Sequence, residues 1–212
     1  MNKIIVFFYA LLMAGICLGQ TYTPIYSKKG EGLETQGSPY VISSFSTLKI
    51  NGQDHPAKAR YNAMEDRVEF EDMNYYPINV GDELNFVKHK KKYVYTDYKD
   101  RKNNPKTGFL AEVQGGKKVK FYKRESITFV KGKIAETSYE KDIADKYELN
   151  DKEFYLKIGE GEFIYLPNSR KSFSKLFGDK EKEVSDFLKK NGYSLSNPND
   201  LKIIVNYLNT IL

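Results

Sequence analysis

Between residues 38 and 166 apolar and polar side chains alternate at period two, in short runs separated by turn-forming residues. That is the pattern of strands with one buried and one wet face. In EDRVEFED, Val68 and Phe70 point one way while Arg67, Glu69 and Glu71 point the other. KKYVYTDY sets Tyr93, Tyr95 and Asp97 on one face and Val94, Thr96 and Tyr98 on the other. Both of its faces carry apolar or aromatic atoms, so this strand is expected to be covered on both sides. Gly115-Gly116 separates the runs 109–114 and 117–122 and predicts a hairpin closed by a primed two-residue turn. Gly52, Asn74, Gly81-Asp82, Asn103-Asn104-Pro105 and Gly159-Glu160-Gly161 mark further turns. Such spacing favours an antiparallel meander, a curved sheet or partly open barrel, over a parallel α/β sheet. Residues 135–147 are less regular and read as a long loop or short helix.

After Pro167 the period changes to that of helices. Phe173, Leu176 and Phe177 precede Gly178, a helix stop. Asp179 is expected to cap a second helix, in which Val184, Phe187 and Leu188 share a face until Asn191-Gly192. Asn197-Pro198 reads as an N-cap followed by proline at the first helical position. Leu201, Ile204, Val205, Leu208, Ile211 and Leu212 then form an apolar stripe too broad to face water. The fold expected is therefore α+β: a meander over 38–166, then two or three carboxy-terminal helices over 168–212, within one domain spanning 20–212.

The amino terminus adds a compartment. Lys3 gives a positive start, the run from Ile4 to Cys17 is apolar, and Gly19 ends it. This reads as a secretory signal peptide over 1–19, too short for a membrane span, with cleavage leaving Gln20 first. Lipid attachment at Cys17 is the alternative, disfavoured because bulky Ile16 stands where a small residue is needed. After cleavage the chain has no cysteine, hence no disulfide and no thiol chemistry, and with the apolar run removed no transmembrane span is expected. Loss of Lys3 lowers the formal net charge from +6 to +5. So small an excess, mixed with acid along the chain, argues against nucleic acid as a partner. The basic run Lys88-His89-Lys90-Lys91-Lys92 reads as a solvated hairpin end or a lysine-protected edge strand, or else as a contact for an anionic envelope surface. The 17 tyrosines suit a half-wet pleated surface.

Catalytic constellations are sparse. His55 and His89, the only histidines, lack metal-ligand spacing, so no metal or other cofactor is expected. Ser172-Phe173-Ser174-Lys175 matches S-x-x-K, but the S-D-N and K-T-G elements that accompany it in penicillin-recognising enzymes are absent. Glu65, Asp66, Glu69, Glu71 and Asp72 crowd one strand, where Glu69 and Glu71 are expected on the solvated face.

The phrases GSPYV, RYNAMEDRVEF, VKFYKR and PNSRKSFSKLFGDKEKEVSDFLKKNGYSLSNPNDLKIIVNYLN span most of the chain after the signal. In combination the chain resembles uncharacterised exported proteins of Bacteroidetes-type bacteria. The resemblance implies an envelope location, periplasmic or outer-membrane-associated, and transfers no site residue. The expectation is a non-enzymatic envelope interaction module, with an envelope protein or an anionic envelope surface as partner. Its contact surface is placed at Lys90, Lys91, Lys92, Tyr93 and Tyr95. The alternatives are a carrier holding lipid or lipidated protein in a curved sheet, and a hydrolase working through Glu69, Glu71 and Asp72.

Overall fold

The computed structural model describes residues 33–137 and 139–212. The signal segment and Cys17 lie outside them. The chain forms two compact units, one holding Leu33–Lys133 and Ile143–Leu212, the other taking in Ile134–Asp142. Within the latter, the Ala135 N–H donates to Asp142 at 2.6 Å. No helix among the described residues is long and apolar enough to cross a membrane.

Among the described residues twelve strands precede the helices: β1 (Leu48–Ile50), β2 (Gln53–Asp54), β3 (Ala59–Asn62), β4 (Arg67–Phe70), β5 (Glu83–Phe86), β6 (Lys91–Lys99), β7 (Pro105–Gln114), β8 (Val119–Arg124), β9 (Ile127–Val130), β10 (Lys146–Leu149), β11 (Glu153–Ile158) and β12 (Phe163–Tyr165). Three helices follow: α1 (Arg170–Lys175), α2 (Glu181–Asn191) and α3 (Pro198–Ile211). Eight strands form one open antiparallel sheet in the order β12-β11-β8-β7-β6-β5-β1-β2, while β3–β4 and β9–β10 pair separately. The fold is the α+β meander with carboxy-terminal helices that the periodicity predicts.

Both faces of the large sheet are covered, and alternation along β6 shows how. Tyr93 and Tyr95 pack with Phe109, Leu84, Leu48 and the β3–β4 residues Tyr61, Val68 and Phe70. Val94 and Tyr98, pointing the other way, join Leu110, Tyr122, Tyr155 and Phe163. The sheet curls around this second group: Lys99 on β6 reaches Glu162, just before β12, at 3.4 Å. The rings of Tyr98 and Tyr155, and of Tyr122 and Phe163, meet at 5.1 and 5.0 Å. Interlocked tyrosines therefore fill the inside of the curl.

On the same face as Tyr93, further along the sheet, Val119, Phe121, Phe154 and Leu156 meet the three helices in a core containing Phe173, Val184, Leu188, Leu201, Ile204, Val205 and Leu208. The stripe read on α3 is its buried face. Asn197 caps α3, its side chain accepting from the Asn199 N–H, and Gly192 ends α2 at φ 68°.

Three expectations are corrected. β7 and β8 do form a hairpin, but residues 115–118 separate them and neither glycine has positive φ. Gly116 serves close approach instead: a Cβ there would overlap the Asn209 amide and the Val119 carbonyl. Asn209 of α3 enters the turn, accepting from the Lys118 and Val119 N–H groups at 2.8 and 3.1 Å and donating to the Val119 carbonyl at 2.8 Å. Asp179 does not cap α2; it lies in the 3-10 turn Gly178–Lys180, and Lys180 occupies the cap position. Lys146 and Tyr147, read as loop or helix, are strand residues of β10 paired with Val130 and Phe129.

Candidate functional site

The β3–β4 hairpin lies over one end of the large sheet, and its construction shapes the open surface beside it. Its turn is fixed by Asn62, whose Oδ1 accepts from the Met64 and Glu65 N–H groups at 3.1 Å each, and by Asp66 at φ 50°. Asn and Asp tolerate such turns because their short side chains bond locally to backbone. Asp66 then reaches down to the large sheet. It accepts from the Tyr61 hydroxyl at 2.6 Å and the Phe109 N–H at 3.3 Å. Gly108 is required beneath it, since a Cβ there would overlap the Asp66 carboxylate.

The hairpin's outer face is a charged cluster. Arg60 donates to Glu69 through Nε and Nη2 at 3.0 and 2.9 Å, and to the Tyr40 hydroxyl at 2.6 Å. Its guanidinium lies over the Tyr40 and Phe45 rings, 3.8 and 4.5 Å from their centroids. Tyr40 and Asn62 each add a bond to Glu69, both at 2.8 Å. Partial burial acts to raise the Glu69 pKa, but the hydrogen bonds from Asn62, Tyr40 and Arg60 prevail and hold it below the usual carboxylate value. Glu69 is thus more engaged than its place on a wet strand face suggests. A carboxylate so tied is a poor general acid or base near neutral pH.

Alongside β4 opens a groove of about 730 Å³. The whole stretch from Asp66 to Glu71 lines it, with Tyr95, Phe109, Tyr76 and Ile78 supplying aromatic and aliphatic surface. Met73 and Tyr75, 93% and 88% exposed, form an apolar lip. His55 supports this wall from behind, its ring 4.4 Å from Tyr76 and 5.0 Å from Phe70.

The five residues singled out in the basic run and β6 separate in three directions. Tyr95 lines the groove. Lys90 and Lys92 are exposed, Lys90 in a left-handed conformation that lets the chain turn into β6. Lys91 and Tyr93 face inward onto Glu125, whose side chain is 2% exposed. Lys91 contacts both Glu125 oxygens at 2.6 and 2.7 Å, Lys123 contacts one at 2.7 Å, and the Tyr93 hydroxyl donates at 2.6 Å. Burial raises the Glu125 pKa, yet Lys91 and the donors from Lys123 and Tyr93 outweigh it and hold the group ionised. Burial lowers the Lys91 pKa in turn.

Tyr93 is therefore not a surface residue. The basic run does form a hairpin end, since residues 87–90 join the antiparallel neighbours β5 and β6, but it is not on a sheet edge. β6 sits between β5 and β7, and the run feeds a central strand whose lysine balances a buried acid. The groove itself escaped the reading of the sequence, because the loop 71–78 and its exposed Met73 and Tyr75 carry no periodic signal.

S-x-x-K dissolves as well: the Ser169 and Ser172 hydroxyls bond to each other at 2.8 Å at the start of α1, and Ser174 is buried. No group of three or more metal-ligating side chains converges among the described residues. Neither a family model, a curated protein nor a solved structure matches the chain.

Proposed function

We propose that this protein is an exported, non-enzymatic binding module of the cell envelope and that the groove along β4 is its working surface. One observation carries the reading: an open trough of about 730 Å³, walled by aromatic side chains and a bare Met73–Tyr75 lip, lies beside a rigidly braced hairpin. Exposed apolar residues gathered at a concavity mark interaction sites far more often than scattered ones do. The acids of the hydrolase reading are occupied with structure, Glu69 by Arg60, Glu71 by Lys58 and Asp72 by Asn74 and Tyr76, which leaves that reading without a poised pair. A carrier needs an apolar hollow inside the curl, and Tyr98, Tyr122, Tyr155 and Phe163 occupy that space. The charged start, apolar run and Gly19-Gln20 exit support export.

The test uses a photo-reactive side chain at position 75, compared with one at exposed Lys182 on α2. In envelope extract, adducts specific to position 75 are expected, and Edman sequencing of the exported chain should begin at Gln20. Equal adducts from both positions, or a cytosolic chain retaining Met1, would remove the reading.

A further inference from the structure

We propose that the occupant of the groove is an extended segment of a partner polypeptide, alternating apolar with basic residues, which adds to β4 as a third strand of the β3–β4 sheet. This rests on the groove being the binding surface and names what binds there.

The backbone supplies the first argument. The Glu71 N–H donates to the Lys58 carbonyl at 2.9 Å, and β3 and β4 pair with Arg60 opposite Glu69 and Tyr61 opposite Val68. Antiparallel ladders alternate, so Arg67 and Glu69 turn their backbone groups toward β3 while Val68 and Phe70 turn theirs away, the Phe70 carbonyl accepting from the Met73 N–H at 3.1 Å. Ala59, opposite Phe70, follows the same rule on the far side, exchanging both bonds with Ser46 at 2.9 Å. No other strand among the described residues pairs with β4. The Val68 N–H and C=O and the Phe70 N–H are then the open edge groups, on a strand whose four residues all line the groove. A row of outward N–H and C=O groups is answered best by another extended backbone.

Side chains supply the second. Residues of an added strand point alternately to the two faces of the sheet. Those on the inner face meet Tyr95, Phe109 and Ile78 and are apolar; those on the outer face meet the charged side of the hairpin. Between Lys58 and Asp72 there are five carboxylates against three cations, a net of −2, in a chain whose total is +6. Three carboxylates, Asp66, Glu69 and Glu71, line the groove itself against two cations, Arg60 and Arg67, and basic side chains of the segment complement that excess. A second copy of this chain would bring the same negative hairpin, and its own sheet beneath it, to the same place. A slender, positive segment fits.

Binding of synthetic octapeptides to the full exported chain tests this by fluorescence anisotropy. The alternating Lys-Val octamer is expected to bind at least tenfold more tightly than the Glu-Val octamer, a difference of about 1.4 kcal/mol. N-methylation of alternate amides should weaken it by a similar factor in one phase of alternation and little in the other, because only one set of amides faces β4. Val68→Pro removes an edge donor without touching the β3 ladder and should weaken binding likewise, with the fold kept and the melting temperature lowered only modestly by the lost Val68 packing. Equal affinity for both methylation phases, or for both charge patterns, overturns the proposal, and the methylated peptides decide it even where Val68→Pro misfolds. Sedimentation showing a dimer that Val68→Pro dissolves would also overturn it, in favour of a second copy. Position-75 adducts without octamer binding would sink the strand and leave the groove; absence of both removes both.

Discussion

One face of the large sheet is roofed in two ways. Over β8 and β11 the roof is helical, and α1–α3 bring Phe173, Val184, Leu188, Leu201, Ile204 and Leu208 to full burial. Over β5, β6 and β7 the roof is the β3–β4 hairpin, which brings Ala59, Tyr61 and Phe70 but leaves Val68 half-buried and a groove beside it. The difference follows from where each element finds its backbone partners. A helix satisfies its N–H and C=O groups internally, so it can be laid down wherever its stripe fits. A two-stranded hairpin satisfies only one side of each strand, and here Ser46 covers the far side of β3 while β4 stays open. The helical end is therefore where stability concentrates, and the hairpin end is where the molecule has chemistry to offer.

The sharpest way to break this contrast is to hollow the helical roof. Phe173 is fully buried, with its ring 5.3 Å from Phe177. Phe173→Ala should cost about 3–5 kcal/mol, as large-to-small core changes do. Urea denaturation read by far-ultraviolet circular dichroism measures it. A loss below about 1 kcal/mol would mean that the helices are a loose appendage.

Next in size is the polar bolt beneath the hairpin end. Glu125 ties Lys91 and Tyr93 of β6 to Lys123 of β8, and its backbone carbonyl accepts from Tyr61 of β3 at 3.2 Å. Glu125→Gln keeps the shape and removes the charge, leaving two lysines without their counterion. Hydrogen bonds to charged groups contribute about 1.5–3 kcal/mol each, so a loss of about 3 kcal/mol is expected in the same assay. A variant as stable as the parent would show that the lysines simply turn to solvent.

How much of this was legible in the chain depends on what each feature rests on. The helices were readable because stripe and stop signals are local: Asn197-Pro198 and Asn191-Gly192 act where they stand. The faces of β4 and β6 were readable because alternation at period two is equally local. Gly115-Gly116 misled because its reason lies 93 residues away from Gly116, at Asn209. Lys91 and Tyr93 misled in the same way. A lysine run looks like surface until a buried carboxylate 34 residues on draws one member inward. The groove was hidden most completely, since an unpaired edge is a statement about strands that are not there.

Acid should separate the two ends more gently. Glu69 and Glu125 both have folded-state pKa values held below the usual 4.5. The unfolded chain then binds protons that the folded chain refuses, so both contributions are full above that value and lost as pH falls through the folded values. Denaturation midpoints should be flat from pH 7 to about pH 5 and fall below it, and Glu125→Gln should lose part of that fall. An equal acid response in the variant would assign the dependence to Glu69 and the exposed pairs.

The smallest expected effect on stability sits at the groove's lip. Met73 and Tyr75 lie almost wholly in water, so replacing both with serine removes little buried area and should leave stability within about 0.5 kcal/mol. A lip that matters only for binding should show its loss in the position-75 adducts or octamer affinity and nowhere else. Amide exchange in the unchanged protein sharpens the point residue by residue. The Val68 and Phe70 N–H groups, facing the open edge, should exchange rapidly, while Glu69 and Glu71 on the same strand should be protected by β3. Uniform protection along β4 would mean that something already covers the edge, and the two roofs would then differ in material but not in completeness.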